Sequence, residues 1–369
     1  MVISMKQNAE QAAATLIADT QLNAKLLRLS IGEFGLNIRS NSEALLAGLS
    51  RYFSHLVVDE NASSSIVQEL IAIESAELDL KVGFTDWKRE PGKTGRKDSY
   101  HDLDDGRLLL KVRTGMVFLQ SEKYRIAVGP CIANDNQVIN FINAQYANWL
   151  QQQGFLTCHA AGVVKNGNCF AMAGFSGGGK STLMLRLLDD NAINYLSNDR
   201  LYIQHQGSHV FAAGIPKLPR VNPGTIVHNP KLYALLSEDR RQQLLALPQG
   251  ELWELEEKYD VLVGDVYGSN RITHSAPLSA FLILNWRRDT DEAFTVQSVD
   301  ITERSDLLAA VMKSPGPFYQ RADGSFYSDD MGFDAAEYLK NLQGVRFYEA
   351  SGSVDFDALV AYCHQHIME

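Results

Sequence analysis

Apolar and polar positions form short blocks through the first 130 residues, and their spacing predicts both helices and strands. Residues 6–19 have an Ala-rich helical composition, and residues 42–57 place apolar side chains at helical spacing behind Ser42, a favourable N-cap residue. Residues 26–40 have the pattern of two short strands around a glycine turn, and residues 100–128 alternate between turn signals. This part of the chain is therefore expected to be an α+β domain containing a β-meander.

Beyond residue 130 the pattern changes to closely spaced strands around one glycine-rich loop. A helix is expected over residues 134–152, a strand over 346–350 and a final helix over 356–367. We expect an α+β domain over residues 1–130, which would recognise a partner, and an α/β catalytic domain over residues 131–369.

Composition and charge narrow the class of protein. Lys plus Arg is 34 and Asp plus Glu is 44, so the net charge is −10, which argues against a nucleic-acid partner. Hydrophobic residues make up 45% of the chain, which excludes a disordered protein. No apolar run approaches the roughly 18 residues of a membrane helix, and the N-terminus turns polar at once, unlike a signal peptide. With four cysteines and no CxxC pair, we expect a cytoplasmic protein with reduced thiols and no membrane partner.

One motif dominates the chemistry, because the loop that starts at Gly174 matches G-x-x-x-x-G-K-S/T in full. Consecutive glycines let backbone N–H groups turn inward around phosphate oxygens. Lys180 would bring a charge to the β- and γ-phosphates, Ser181 would ligate Mg²⁺, and the following helix would direct its positive end at the anion. The residues expected to bind ATP are Gly174, Ser176, Gly177, Gly178, Gly179, Lys180, Ser181 and Thr182.

The strand before this loop follows a tight hairpin. Asn166-Gly167 is a strong signal for a two-residue type I′ turn. Counting back in antiparallel register from that turn places His159 opposite Gly174, at the mouth of the loop. A lone histidine is more often structural, but this register brings the imidazole within reach of a bound phosphate or its metal.

A second candidate for metal binding lies downstream. Residues 193–200 alternate as a strand does and end in Asn198-Asp199, like a Walker B element whose carboxylate faces Mg²⁺. An aspartate at a strand end is often only a turn residue, but this one lies 19 residues after Lys180 of a complete phosphate loop. Ser181 and Asp199 are therefore the expected metal ligands.

Together, the histidine before the loop, the GxSGxGKS-like loop and the Asp199-Arg200 pair resemble the HPr kinase/phosphorylase catalytic domain. The similarity is greatest to the HPr kinase-related group, and the fold also resembles the nucleotide-binding half of phosphoenolpyruvate carboxykinases. Good correspondence covers roughly residues 155–215. The resemblance implies a serine/threonine kinase that uses ATP and Mg²⁺, and it leaves a homo-oligomer open.

Two positions depart from that family's pattern. HPr kinases carry two consecutive acidic residues where this chain has Asn198-Asp199, and the first is the one assigned to proton transfer. Because an amide cannot act as a base, phosphorolysis is not expected. Phosphoryl transfer depends mainly on positioning and charge stabilisation, so kinase activity can survive this loss. Thr182 replaces the acidic residue usually found after the loop serine.

Other segments carry charged residues with two interpretations each. Residues 214–225 are either a cationic clamp, through Lys217 and Arg220, or a solvated Pro-rich connection. Residues 265–273 could correspond to the glycine-containing signature loop of HPr kinases, with a different spelling. Residues 286–288 (WRR) either contact the nucleotide or a partner, or form a surface pair after a strand.

The function expected from these features is an ATP- and Mg²⁺-dependent kinase acting on a Ser or Thr hydroxyl of a protein or peptide. The expected catalytic residues are His159, Lys180, Asn198 and Asp199. Two alternatives stay open: a kinase of a small hydroxylated metabolite, and a nucleotide-binding regulatory protein with little turnover.

Overall fold

The chain forms two mixed α/β units, and one of them is discontinuous in sequence. The residues that the computed structural model describes are 2–3, 8–59, 64–89, 94–175 and 177–368. The first unit comprises Met1–Gln153 and Ser314–Gly332, and the second comprises Gly154–Lys313 and Phe333–Glu369. Among the described residues, no helix is both long enough and apolar enough to cross a bilayer.

The strands of the first unit are β1 Val2–Ile3, β2 Leu27–Ile31, β3 Phe34–Ser40, β4 Ile66–Glu74, β5 Asp79–Leu80, β6 Thr85–Asp86, β7 Asp98–Asp102, β8 Gly106–Lys111, β9 Met116–Ser121 and β10 Arg125–Gly129. Eight of them form one sheet of order β2-β3-β4-β10-β9-β8-β7-β6, and β1 pairs with β5. Its helices are α1 Ala9–Ile17, α2 Glu43–Tyr52 and α3 Asp135–Gln152. Strands β7 to β10 pair consecutively and antiparallel, so the predicted meander is confirmed. Helix α2 begins as predicted, with the Ser42 hydroxyl accepting from the Leu45 N–H.

Aromatic packing explains why α3 belongs to the first unit. The ring of Phe141 on α3 lies 4.9 Å from that of Phe118 on β9, and Phe318 lies 5.4 Å from Phe118 and 5.1 Å from Phe141. Burial of these three rings joins α3 and the returning segment to the sheet. The division of the chain therefore differs from the expected boundary at residues 130/131, since the second unit begins at Gly154.

The strands of the second unit are β11 Leu156–Cys158, β12 Ala160–Lys165, β13 Asn168–Gly174, β14 Ile193–Ser197, β15 Leu201–Gln206, β16 His209–Gly214, β17 Arg220–Val221, β18 Tyr259–Asp260, β19 Ser275–Leu284, β20 Thr295–Val299 and β21 Arg346–Ser351. Nine of them form one sheet, in which seven follow the order β11-β15-β16-β19-β13-β12-β14. Strand β21 pairs with β19 beside this path, and β20 pairs with β21. Its α-helices are α4 Lys180–Leu187, α5 Pro223–Ile226, α6 Glu238–Leu245, α7 Gln249–Glu254, α8 Val263–Tyr267, α9 Ser305–Val311, α10 Ala335–Asn341 and α11 Phe356–Tyr362. A 3₁₀ helix covers Pro230–Leu235, and a π-helical turn, Cys363–Ile367, extends α11 over the predicted C-terminal span.

The predicted hairpin forms between β12 and β13. Asn166 and Gly167 have φ angles of 51° and 77°, as a type I′ turn requires. The register runs from Lys165–Asn168 to Ala160–Ala173, as predicted. The ladder ends there, because His159 lies in the break before β12 and its backbone N–H donates to Val311 (2.7 Å) rather than continuing the ladder to Gly174.

Candidate active site

The glycine-rich loop connects the end of β13 to the start of α4. Gly179 has the left-handed φ of 89° immediately before the helix, a conformation that glycine adopts without strain. The Lys180 ammonium donates to the carbonyl of Gly174 (2.9 Å), so the side chain folds back over the loop. Strand, loop and helix therefore follow one another in the order that a phosphate loop needs. Ser176, also expected to bind the nucleotide, lies outside the described residues.

Two adjacent polar side chains at the start of α4 hydrogen-bond to neighbouring segments. The Ser181 hydroxyl donates to the side-chain carbonyl of Asn198 (2.9 Å), which follows β14 and is buried. The hydroxyls of Thr182 and Thr225 lie 2.9 Å apart, so Thr182 contacts α5. The first contact brings together the expected metal ligand Ser181 and the residue before Asp199.

Asp199 lies in a tight turn with a left-handed φ of 66°. One carboxylate oxygen is 3.3 Å from Nε2 of His159, and the other accepts from the Lys313 ammonium at 3.0 Å. His159 and Asp199, predicted separately from the hairpin register and from the strand end, are thus brought together. Lys313 is an additional member of the site that sequence analysis did not identify.

The charges around Asp199 favour its ionised form. Burial alone would raise the pKa of Asp199, but the hydrogen bond with His159 and the positive charges of Lys313 and Arg200 outweigh it and hold that pKa well below its usual value. The hydrogen bond to Asp199 favours charged His159, but burial and the charges of Lys313 and Lys180 prevail and lower the pKa of His159. The pair is therefore a carboxylate beside a neutral imidazole at neutral pH.

The Pro-rich loop supplies two more cations. Burial, opposed by Asp199 and assisted by Arg200 and Lys313, lowers the pKa of the Lys217 amine to about 8. Arg220 pairs with Asp260 at 2.9 Å. Of these two cations, Lys217 is the one that interacts with Asp199.

The donor set suits a hard cation with phosphate. Within the described ranges, no three His, Cys, Asp or Glu side chains cluster as a metal site of their own. The oxygens near the loop are the Ser181 hydroxyl, the Asn198 amide and the Asp199 carboxylate, and such oxygens are the ligands that Mg²⁺ prefers when phosphates complete its coordination. These residues fit Mg²⁺ bound together with a nucleotide.

Comparisons with known proteins give limited information. No family model and no curated protein matches the chain. A solved structure, the HPr(Ser) kinase/phosphatase from Coxiella burnetii, is similar at 10% identity over 57% of this chain and 95% of that chain, with a TM-score of 0.28. Similarity at this level does not bear on activity, so the functional interpretation rests on the site itself.

Arg271 lies in the 265–273 segment that could correspond to a signature loop, but its side chain is buried rather than open to a ligand. Its guanidinium is buried and donates to backbone carbonyls that include those of Leu188, Ile193 and Tyr267. With its donors used in this way, Arg271 joins the segment after α4 to α8. Its role is structural.

The WRR segment contacts the glycine-rich loop directly. Nε1 of Trp286 donates to the carbonyl of Gly178, and Nη2 of Arg288 donates to that of Gly177, each at 2.9 Å. The sequence alone allows two interpretations of this segment, a contact with the nucleotide or a partner, or a surface pair after a strand. The structure shows that two of its residues hold the loop.

Lys313 carried only a weak signal in the sequence. It follows α9 within Met312-Lys313-Ser314-Pro315-Gly316, where proline and glycine predict a loop. A lysine in such a loop is usually a solvated charge. Its pairing with Asp199, 114 residues away, depends on the tertiary structure.

Proposed function

We propose that the second unit is an ATP- and Mg²⁺-dependent kinase of the HPr kinase-related type, which phosphorylates a Ser or Thr hydroxyl of a protein or peptide. The observation that carries the proposal is the hydrogen bond from Ser181 to Asn198. It joins the glycine-rich loop to the turn that presents Asp199. Phosphoryl transfer needs an anion cradle, a metal-binding carboxylate and compensating cations, and all three candidates meet at this point.

When bound, MgATP would supply the transferable phosphoryl group and a divalent charge. Lys180 and the loop amides would hold the β- and γ-phosphates, and Ser181 and Asp199 would hold the metal. Neutral His159 would contact the γ-phosphate without adding charge. Lys313 and Lys217 would balance the negative charge of the bound nucleotide.

Asn198 is assigned an orienting role. Its amide oxygen accepts from Ser181, and the same side chain carries N–H donors that can bind an acceptor hydroxyl. An amide cannot take the proton of that hydroxyl. The kinase direction, with its loose transition state, is less dependent on a strong base than phosphorolysis is.

Asn198 also favours one second candidate, a nucleotide-binding regulatory protein with little turnover. In that case the loop would bind MgATP and a partner would sense the bound state. The two candidates differ in whether the γ-phosphate leaves the nucleotide.

The test is transfer of labelled γ-phosphate from ATP in a cell extract, followed by identification of the labelled species. Lys180→Ala is expected to abolish labelling, because it removes the charge on the β- and γ-phosphates. Lys165→Ala, at the hairpin end of β12, is the matched control and is expected to label normally. Label in a protein supports the proposal, and label in a small molecule indicates a metabolite kinase. MgATP binding without any transfer supports the regulatory candidate.

A further inference from the structure

The segment that follows β19 controls two carbonyl groups of the glycine-rich loop. Strand β19 pairs in parallel with β13, with Leu284 opposite Gly174, so both strands end at the same sheet edge. Trp286 and Arg288 lie just beyond that edge. Each donates one hydrogen bond to a loop carbonyl, Trp286 to Gly178 and Arg288 to Gly177.

Peptide geometry converts these contacts into an orientation of the loop amides. In a planar trans peptide the carbonyl of one residue and the N–H of the next point in opposite directions. Because Trp286 holds the Gly178 carbonyl, the Gly179 N–H must point away from the indole. Within the described residues this N–H has no assigned partner. It is one of the donors available to an anion at the start of α4.

The second contact has a different consequence. Arg288 holds the Gly177 carbonyl, and the next N–H, that of Gly178, donates to the Phe175 carbonyl at 3.0 Å. This peptide is therefore used to shape the loop. The guanidinium of Arg288 is itself stacked on Trp253 at 4.6 Å, which limits its movement.

A third side chain covers the loop. A Cβ placed on Gly179 would lie 2.5 Å from Cζ of Phe356, so the ring leaves room for hydrogen only. Phe356 packs edge-on against Trp286 with ring centres 4.9 Å apart. We name Trp286, Arg288 and Phe356 the loop brace.

We propose that the loop brace is the positioning element of the nucleotide site, in which Trp286 aims the Gly179 N–H at a phosphate of the bound nucleotide. This inference rests on the proposed function for its ligand. The brace itself is a property of the ligand-free protein and is measurable without nucleotide.

The test variant is Trp286→Phe, which removes the indole N–H and retains a ring against Phe356. In ligand-free protein we expect faster hydrogen exchange of the Gly178 N–H, which donates to the Phe175 carbonyl, in a peptic peptide that spans the loop. We also expect MgADP affinity, measured by calorimetry, to fall about 10-fold, as for loss of one well-placed hydrogen bond. The matched control is Trp149→Phe in the first unit. The buried Trp149 N–H has no hydrogen-bond partner within the described residues, so this variant should change neither measurement.

Each result decides the proposal. Unchanged exchange of the Gly178 N–H in Trp286→Phe overturns the brace, and faster exchange with wild-type MgADP affinity overturns its role toward phosphate. If the wild-type protein does not bind MgADP, the kinase proposal is wrong. The exchange measurement in ligand-free protein still tests whether Trp286 holds the loop. If Trp286→Phe lowers the thermal midpoint, Arg288→Met provides the same readouts from an exposed position, with an expected affinity loss of about 3-fold.

Discussion

Two clusters of charged side chains, one in each unit, differ in their charge balance. In the first unit Arg107 is buried and forms a bidentate pair with Asp102 at 2.5 and 3.0 Å. Its guanidinium lies 4.4 Å from the ring centre of Tyr100 and 4.5 Å from that of Phe326. A further donor binds the Tyr327 carbonyl at 2.9 Å. The single positive charge of Arg107 is balanced by the single negative charge of Asp102, and another of its N–H groups binds the backbone.

In the second unit Asp199 faces an excess of positive charge. Lys313 contacts it directly, Lys217 and Arg200 interact with it, and His159 is hydrogen-bonded to it as a neutral group. A chain with a net charge of −10 nevertheless concentrates cations at this point. Collecting like charges opposes folding unless an anion compensates them. The comparison separates a cluster that stabilises structure from one that is suited to a phosphate ligand.

The largest expected effect is on the unbalanced cluster. Asp199→Asn replaces a charged oxygen ligand by a neutral one, so we expect a loss of transfer of about 100-fold or more at fixed Mg²⁺. The loss should be partly recovered at higher Mg²⁺, as measured by initial rate against metal concentration. An unchanged Mg²⁺ dependence would exclude Asp199 from metal binding.

An ion pair elsewhere in the second unit tests whether the excess of positive charge is a property of the Asp199 cluster or of the whole unit. Glu349 is 5% exposed and accepts from Arg304 at 2.8 and 3.0 Å. The Arg304 hydrogen bonds outweigh burial and lower the pKa of Glu349 from its usual 4.5 to about 2. A carboxyl with a lowered pKa stabilises the fold above its unfolded pKa. This contribution is lost as the pH falls from about 4.5 toward 2 and amounts to about 3 kcal/mol.

Urea unfolding of the full chain at a series of pH values measures this contribution. Glu349→Gln should lower stability at pH 7 and flatten its dependence below pH 4.5. The matched comparison is Asp306→Asn on the other side of Arg304, where the carboxyl is mostly exposed and a much smaller change is expected. A wild-type pH profile retained by Glu349→Gln would show that other groups control acid unfolding.

Arg107→Met probes the balanced cluster of the first unit. It removes the pair with Asp102, two hydrogen bonds to backbone carbonyls and three cation–π contacts. Asp102 is half-exposed and can be solvated afterwards, so we expect a loss of unfolding free energy of about 2 kcal/mol. Lys313→Met is the counterpart in the unbalanced cluster and should reduce transfer while leaving unfolding free energy nearly unchanged. Equal destabilisation by the two variants would remove the distinction between the clusters.

The smallest expected effect concerns Asn198. Asn198→Asp adds a negative charge beside Asp199 and the γ-phosphate, so we expect transfer to slow several-fold and to require more Mg²⁺. Initial rates against pH for both forms are the measurement. A faster variant with a new ionisation in its profile would mean instead that a general base had been missing at this position.

Local signals in the sequence were sufficient to predict the β12–β13 hairpin and the glycine-rich loop before α4. The Asn166-Gly167 turn set the β12–β13 register, and the glycine spacing located the loop before α4. Each depends on neighbours within about ten residues, where backbone preferences decide. The same holds for Ser42, whose hydroxyl caps α2.

The remainder depends on contacts between distant residues. Lys313 belongs to an ordinary Pro/Gly loop, and no pattern in the sequence around Trp286 predicts its hydrogen bond to the Gly178 carbonyl. Residues 265–273 suggested a counterpart of the HPr kinase signature loop, but Arg271 within this segment is buried. The extent of the first unit depended on ring packing between Phe118 and Phe318, which are 200 residues apart.

The discontinuity of the first unit has a practical consequence for fragments of this protein. Expressing residues 154–369 alone would keep Ser314–Gly332 but remove Phe118 and Phe141, which cover Phe318. In that fragment the apolar side chains of Ser314–Gly332 would be exposed to solvent, and we expect the fragment to aggregate. Limited proteolysis followed by separation of the halves should fail for the same reason, because one cut between residues 153 and 154 leaves Ser314–Gly332, which belongs to the first unit, on the other product. Isolating the second unit would instead require joining Lys313 to Phe333 through a short designed linker.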